Sequence, residues 1–528
     1  MGLRLLLVLC FSSFVLSQDV TVKLPLGSVK GLKRSTVKGT SFYSFQGIPY
    51  AEKPVGDLRF QAPVSKKKWD GTWDATKEGS ICHQMKYEYK FLDQNEDCLF
   101  INIFTPNISA NLPVMFYVYG GGFIIGTSSE DYYGPYFLME ENVVLVTFNY
   151  RVGPYGFLST GDDFVPGNAG LKDQNLALKW VNQYVSHFGG DPTQIVIFGQ
   201  SAGSASCLFR GAILLSGTTL SPWAYQRNHQ LWSRNLIKLM DPTNYEKYNT
   251  SKTIYEYLKQ APAELINDAS NAIQKGYKQL YQGFFFAPVY EHEHDGAFIT
   301  KRAYEALEEG DFNKVPVLLG ATSEEDYFYM DLSDDMHAID ENREKIKDEI
   351  MKFYMSGGKY ADNVRKLITM LSDHDFVLSV LKFAEFLMKH SQNPYLYQFS
   401  YKGVLAGRTN QSEIGFSDKV AHAEELRYIF NSNRTKDITK FPEQDQITQD
   451  VTVKLPLGTV KGLRRSTVRG TRFYSFQGIP YAEKPVGDLR FQAPVAKKEW
   501  NGTWDATKEG SICNQMNYKS SDQSEDCL

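Results

Sequence analysis

Ser201 sits in Gly199-Gln200-Ser201-Ala202-Gly203, directly after the apolar run Ile195 to Phe198. A serine on such a strand-to-helix turn presents its hydroxyl at a helix N-terminus, and the flanking glycines tolerate the crowding. Its chemistry would be attack on a carbonyl carbon, once a neighbouring imidazole takes its proton. Gly120-Gly121-Gly122 follows a second apolar run, Val114 to Val118. Backbone N–H groups in such a stretch face a cavity without side chains in the way. Together with the N–H of Ala202 they could bind an oxygen that turns negative during acyl transfer. Nine His can supply the base. His422, in Val420-Ala421-His422-Ala423-Glu424-Glu425-Leu426, follows the apolar run Leu396 to Phe399. A carboxylate must orient that imidazole. Glu325 lies just beyond the run Val315 to Leu319, at a strand's C-terminal end, where open α/β sheets build their sites. Glu324 and Asp326 meet the same criterion.

Other reactive side chains point elsewhere. In Glu291-His292-Glu293-His294-Asp295, an extended chain would put His292 and His294 on one face. The expectation is a solvated acidic loop with no metal. Lys66-Lys67-Lys68 reads as a solvated surface run. Among the six Cys, Cys82 and Cys98 lie 16 apart, Cys513 and Cys527 lie 14 apart, and Cys207 is left over. Short-spaced pairs read as disulfides in a secreted chain, each contributing roughly 3 kcal/mol by loop closure. Secretion is expected from Arg4 and the apolar run Leu5 to Leu16, with Val15 and Ser17 suiting a signal-peptidase site and Gln18 as the new N-terminus. The run is too short to span a bilayer, and no later one is long enough, so no membrane span is expected. Glycosylation sequons at Asn107, Asn249, Asn410, Asn433 and Asn501 agree with that compartment. The 57 Lys and Arg against 61 Asp and Glu leave no basic excess, which argues against a nucleic-acid partner.

The elements that must position these residues alternate. Val114–Val118, Val143–Phe148, Ile195–Phe198, Ala212–Leu215, Val315–Leu319 and Leu396–Phe399 read as buried strands. Leu176, Ala177, Trp180, Val181 and Val185 recur at helical spacing, with Gly189-Gly190 ending that helix, and longer helical patterns fill 338–356 and 359–390. Apolar strands separated by helices indicate a mainly parallel sheet covered on both faces.

The chain also repeats itself. Gln449 to Tyr518 aligns without gaps on Gln18 to Tyr87, with 61 of 70 positions identical. After a two-residue deletion, Glu525-Asp526-Cys527-Leu528 matches Glu96-Asp97-Cys98-Leu99. This period is far too long for a solenoid. The organisation read from it is a signal peptide at 1–17, a catalytic region at 18–448 and a partial repeat at 449–528, the start of a second tandem copy. A mis-joined gene model is the preferred explanation, and a fusion protein is the other.

The segments Phe198 to Gly203, Glu96-Asp97-Cys98-Leu99, Gly120 to Phe123 and Asp173-Gln174 resemble the type-B carboxylesterase family, the cholinesterase-like branch of the α/β hydrolases. The likeness covers about residues 20–430 and is nearest to insect secreted esterases, juvenile hormone esterases among them. It implies an α/β-hydrolase fold, a large central mixed, mainly parallel sheet flanked by helices, and cofactor-free hydrolysis of small carboxylic esters. It further implies Ser201 as nucleophile, Glu325 as acid and His422 as base, the family's chain order, with Gly121, Gly122 and Ala202 as oxyanion donors and Cys82–Cys98 as the first disulfide. Lys419 stands where the hormone esterases carry Gly three residues before the histidine, which argues against a hormone-specific reading. A cholinesterase proper would place a Trp inside the Cys82–Cys98 loop. This loop has Tyr87, Tyr89 and Phe91, so neutral, apolar esters (xenobiotic, odorant or hormone esters) are the better expectation. Other readings are a non-catalytic cholinesterase-like binding or adhesion protein and an inactive product of the mis-joined gene.

Two defects stand out. Only Ala202 to Gly211 separates Ser201 from the next strand, fewer residues than a crossover with its helix and return loop requires, so a piece is expected to be missing near 206–207. After Phe430 the chain turns polar and restarts, so helices that would cover the sheet are expected to be absent, leaving apolar surface exposed. The two nearly identical segments should also compete for one docking place.

Overall fold

Eleven strands carry the site. They are β1 (Asp19–Leu24), β2 (Gly27–Ser35), β3 (Ser41–Pro49), β4 (Thr72–Asp74), β5 (Phe100–Thr105), β6 (Leu112–Val118), β7 (Val144–Phe148), β8 (Gly190–Gln200), β9 (Ala212–Leu215), β10 (Val317–Thr322) and β11 (Tyr395–Phe399). They form one sheet in the order β1-β2-β3-β5-β7-β6-β8-β9-β10-β11, with β4 on β2. Pairing is antiparallel from β1 to β7 and parallel from β7 through β11. The computed structural model describes residues 19–36, 38–84, 92–206, 211–276, 284–328, 352–354, 364–401, 403, 405 and 420–431, and in the repeat 450–455, 458–466, 472–475, 498–499, 503–505, 512–513 and 523–524. The mixed, mainly parallel sheet agrees with the expected fold class.

The central strands are buried on both faces, which is why they read as unbroken apolar runs rather than alternating ones. β7 is buried along its whole length, and Phe116 of β6 stacks on Phe148 of β7 with ring centroids 4.6 Å apart. Helix α1 (Ala169–Tyr184) covers the sheet through Ala177, Trp180 and Val181. Asp173 on α1 grips Arg151 with both carboxylate oxygens, at 2.7 and 2.8 Å, and both side chains are buried. The helix gives way to a 3₁₀ turn, Val185–Phe188, closed by Gly189 at φ 82°, so the glycine pair ends the helix where the sequence placed it.

Further along, α2 (Ala202–Ala205) is a single turn, and β9 begins at Ala212. Residues 207–210, with Cys207, where a missing piece is expected, lie outside the described residues. The helical pattern over 359–390 is split. A helix at α3 (Val364–Ser372) runs into a π-helical turn at Asp373–Val377 and continues as α4 (Leu378–Lys389). The pattern over 338–356 lies almost wholly outside the described residues. On α4 and the edge strand β11, Leu378, Met388 and Tyr395 are each more than half exposed. No described helix is long and apolar enough to cross a membrane.

The repeat folds as its own small sheet. β12 (Asp450–Leu455), β13 (Gly458–Ser466) and β14 (Arg472–Ser475) pair in that order, with β15 (Thr503–Asp505) on β13. Val453 faces Val460 just as Val22 faces Val29, so both copies share one register. Their surroundings differ: β5 is flanked by β3 of the first copy and by β7, leaving no free edge for β14. The first copy holds the docking place. Its Cys82–Cys98 disulfide is formed, with Cα atoms 4.9 Å apart. Cys527 lies outside the described residues, as do residues 1–18, Asn410, Asn433, Asn501, Tyr87, Tyr89, Phe91 and Lys419. Asn107 and Asn249 are exposed.

Candidate active site

Ser201 lies between β8 and α2 at φ 56°, ψ −124°, a backbone conformation that costs a non-glycine residue free energy and that persists only when its surroundings over-determine it. Several contacts do so. Its N–H donates to the Leu215 carbonyl on β9 at 2.8 Å, and its carbonyl accepts from Ala205 at 3.0 Å. The next turn is so close to β6 that a Cβ on Gly203 would fall 2.1 Å from the Val118 carbonyl oxygen. A side chain there is impossible without moving backbone.

Gly121 and Gly122 adopt φ 113° and 60° in a turn where the Gly121 carbonyl accepts from both Ile124 and Ile125. Among the described residues, neither glycine donates its N–H to another backbone carbonyl. Ala202, as the first residue of α2, has no intrahelical acceptor for its own N–H. Three backbone donors are therefore available beside the serine.

The acid and the imidazole meet directly. Glu325 is fully buried, and its Oε2 is 2.5 Å from His422 Nδ1. Its other oxygen accepts from the Ser216 hydroxyl at 2.5 Å and from the Thr322 N–H at 2.6 Å. A carboxylate held by three donors has one orientation, and it fixes the imidazole with Nδ1 as the donor. The alternatives that spacing left open are placed elsewhere. Glu324 is half-buried and bonded to Ser323 and Val420 N–H. Asp326 is buried with one oxygen unpartnered. Burial, reinforced by Asp375 and Glu325, pushes the Asp326 carboxyl well above the usual carboxylate range.

His422 Nε2 accepts from the Gln200 side-chain amide at 3.0 Å, and the Ser201 hydroxyl has no hydrogen-bond partner among the described residues. The ring of Phe376, on the π-helical turn, lies against the imidazole at 4.6 Å. From Phe376 the aromatic wall continues to Trp223 at 5.6 Å, then to Phe284 at 6.0 Å and Phe123 at 6.5 Å. Phe284 covers Gly122, where a Cβ would fall 2.7 Å from the ring. An uncharged wall thus runs from the glycine turn to the imidazole.

Spacing did not point to Ser216, Phe376, Trp223 or Gln200. Ser216 carries a signal only in hindsight, a polar residue closing an apolar strand. Phe376 depends on a π-helical insertion that apolar periodicity cannot show.

The expected solvated loop at 291–295 needs correction. Glu291 is buried, accepting from Lys172 at 2.6 Å, Asn168 at 2.7 Å and His294 at 3.0 Å. Only its neighbours face water: His292 pairs with Asp163 at 2.7 Å in an exposed contact. The alternating pattern resembles a surface feature because the buried cation that neutralises Glu291 lies 119 positions away.

Comparison with known proteins gives one consistent family. The family model described as "Carboxylesterase family" matches residues 18–455 and, a second time, 449–528. A carboxylic ester hydrolase of Bombus ignitus is 31% identical over 84% of this chain and 87% of its own length. A juvenile hormone esterase of Tribolium castaneum is 31% identical over 77% of each chain. Venom carboxylesterase-6 of Apis mellifera is 31% identical over 91% of each. The crystal structure of juvenile hormone esterase from Manduca sexta, with OTFP covalently attached, superimposes with a TM-score of 0.69 at 28% identity, covering 79% of this chain and 84% of that one.

Proposed function

Since the chain belongs to the carboxylesterase family and is a carboxylic-ester hydrolase of the serine type, we propose that Ser201, His422 and Glu325 carry its chemistry and that its substrates are neutral, apolar esters. The observation that carries the assignment is the 2.5 Å contact from Glu325 to His422 Nδ1, made at the same rim as the strained Ser201 turn.

In this reading His422 Nε2 takes the proton from Ser201 Oγ as the oxygen attacks the ester carbonyl. The carbonyl oxygen becomes negative and accepts from the N–H groups of Gly121, Gly122 and Ala202. The imidazolium, stabilised at Nδ1 by Glu325, returns its proton to the departing alcohol oxygen. Water then repeats the attack on the acyl-enzyme and releases the acid. The packed rings of Phe123, Trp223, Phe284 and Phe376 surround this rim without a counter-charge, which supports uncharged substrates.

Labelling with an organophosphate ester tests the assignment. One equivalent should attach to Ser201, and Ser201→Ala should lower turnover of an activated neutral ester by about 10³-fold or more. Labelling elsewhere, or turnover retained by Ser201→Ala, would refute it.

The proposal extends to secretion, supported by the basic-then-apolar start of the chain, the disulfide and the exposed sequon asparagines Asn107 and Asn249. Residues 18–448 are proposed as the catalytic unit, with a deletion near 206–207, and 449–528 as a partial repeat.

A further inference from the structure

Gln84 is buried two residues beyond Cys82, and both ends of its side-chain amide are engaged. Its Oε1 accepts from the Gly126 N–H at 2.7 Å. Its Nε2 donates to the Gly126 carbonyl at 2.7 Å and to the Cys82 carbonyl at 3.0 Å. These backbone partners fix which end of the amide is which, because an N–H can meet only the oxygen and a carbonyl only the nitrogen. Gly126 closes the turn that opens with Gly120, Gly121 and Gly122. We infer that Gln84 is a positioning residue for the oxyanion donors: it ties the far end of the glycine turn to the disulfide loop and so keeps the Gly121 and Gly122 N–H groups aligned on the reacting carbonyl. The inference rests on the reading of Gly121, Gly122 and Ala202 as those donors.

Gly126 is buried, so its N–H and its carbonyl both need partners. Among the described residues neither bonds to another backbone group, and the Gln84 amide stands where a neighbouring strand would. The turn it closes has no slack. A Cβ on Gly126 would fall 2.2 Å from the Tyr119 ring and 2.8 Å from the Gly120 carbonyl oxygen, and one on Gly121 would fall 2.2 Å from the Ile125 carbonyl oxygen. A shift at Gly126 is therefore passed to Gly120 and Gly121. The anchor on the other side is firm. Gln84 N–H donates to Gln94 Oε1 at 3.1 Å, Ile81 N–H to the Asp93 carbonyl and Asn95 N–H to the Ile81 carbonyl, each at 2.9 Å, and Cys82–Cys98 closes the loop. Without the amide, two buried backbone groups lose their partners, the turn moves to find others, and the donors move with it. A planar ester asks little of those donors and a tetrahedral oxyanion asks much, so the loss falls on the transition state.

The test uses the full chain with Gln84→Met, which keeps the length and loses the amide, and Gln84→Asn, which keeps the amide but is too short to meet both groups of Gly126. Each should lower kcat for an activated neutral ester by about tenfold or more. Each should weaken a trifluoromethyl ketone, which forms a tetrahedral adduct with a serine oxygen, by a similar factor. KM, and the affinity for the matching methyl ketone, which stays planar, should hold within about twofold. Folding is read alongside by the denaturation midpoint. A lower midpoint with kcat unchanged would overturn the inference, as would equal weakening of both ketones. Failure of both variants to fold would overturn it too, since Gln84 would then serve the fold rather than the alignment. An error in the donor reading itself shows differently: the unsubstituted protein would bind the two ketones alike.

Discussion

Residues 18–99 and 449–528 are nearly the same sequence in two different situations. The first copy feeds β3 into the edge of β5, paired from Tyr43↔Thr105 to Pro49↔Phe100 with a register shift between Phe45 and Ile48, and its apolar side chains close over the main core. The second copy makes the same hairpin and the same parallel β4-like pairing, yet β5 is already flanked on both sides. Local sequence therefore sets the hairpin and its register, and tertiary partners decide whether that hairpin becomes part of a core. Among the described residues, the differences over the aligned 70 positions fall on none that is buried in the first copy: Lys33, Lys38, Ser41, Ser65, Lys68 and Asp70 are exposed, Ser28 and His83 half-buried, and the ninth, Lys86, lies outside the described residues. The second copy thus keeps every described buried side chain of the first, while the edge of β5 on which the first copy uses them is already taken.

Paired substitutions can break this comparison. The largest effect is expected at Phe45, fully buried and packed on Phe188 at 4.9 Å. Phe45→Ala should destabilise the main domain by about 3–5 kcal/mol in chemical denaturation, and the counterpart Phe476→Ala should leave its midpoint unchanged. If Phe476→Ala were the costly one, the second copy would be the docked one. Next comes Arg59, paired with Glu96 at 2.5 Å and donating to the Leu258 and Ala261 carbonyls at 2.9 and 2.6 Å. Arg59→Met strands a nearly buried carboxylate and should cost about 3 kcal/mol, measured against Arg490→Met as the silent twin. The smallest step is Tyr50→Phe, which removes the hydroxyl's bond to the Asn149 carbonyl at 2.7 Å. A loss of about 1 kcal/mol is expected, with none from Tyr481→Phe. Equal losses within each pair would mean that both copies pack into cores.

What the sequence disclosed follows the range of the forces involved. Ser201 and the glycines announce themselves because a strained turn and an open backbone need particular residues at adjacent positions. Glu325 and His422 were readable as candidates at strand ends, but choosing Glu325 over Glu324 and Asp326 needed a family pattern or the 2.5 Å contact itself. The burial of Glu291 leaves no local trace in the sequence, because its neutralising Lys172 is remote in the chain. Phe376 was invisible because one irregular turn rotates it toward the imidazole.

The described turn after Ser201 spans Ala202–Ala205. In the proposed mechanism the growing oxyanion leans on individual backbone hydrogens at contact distance, so displacing one donor by a fraction of an ångström would remove a large share of its stabilisation.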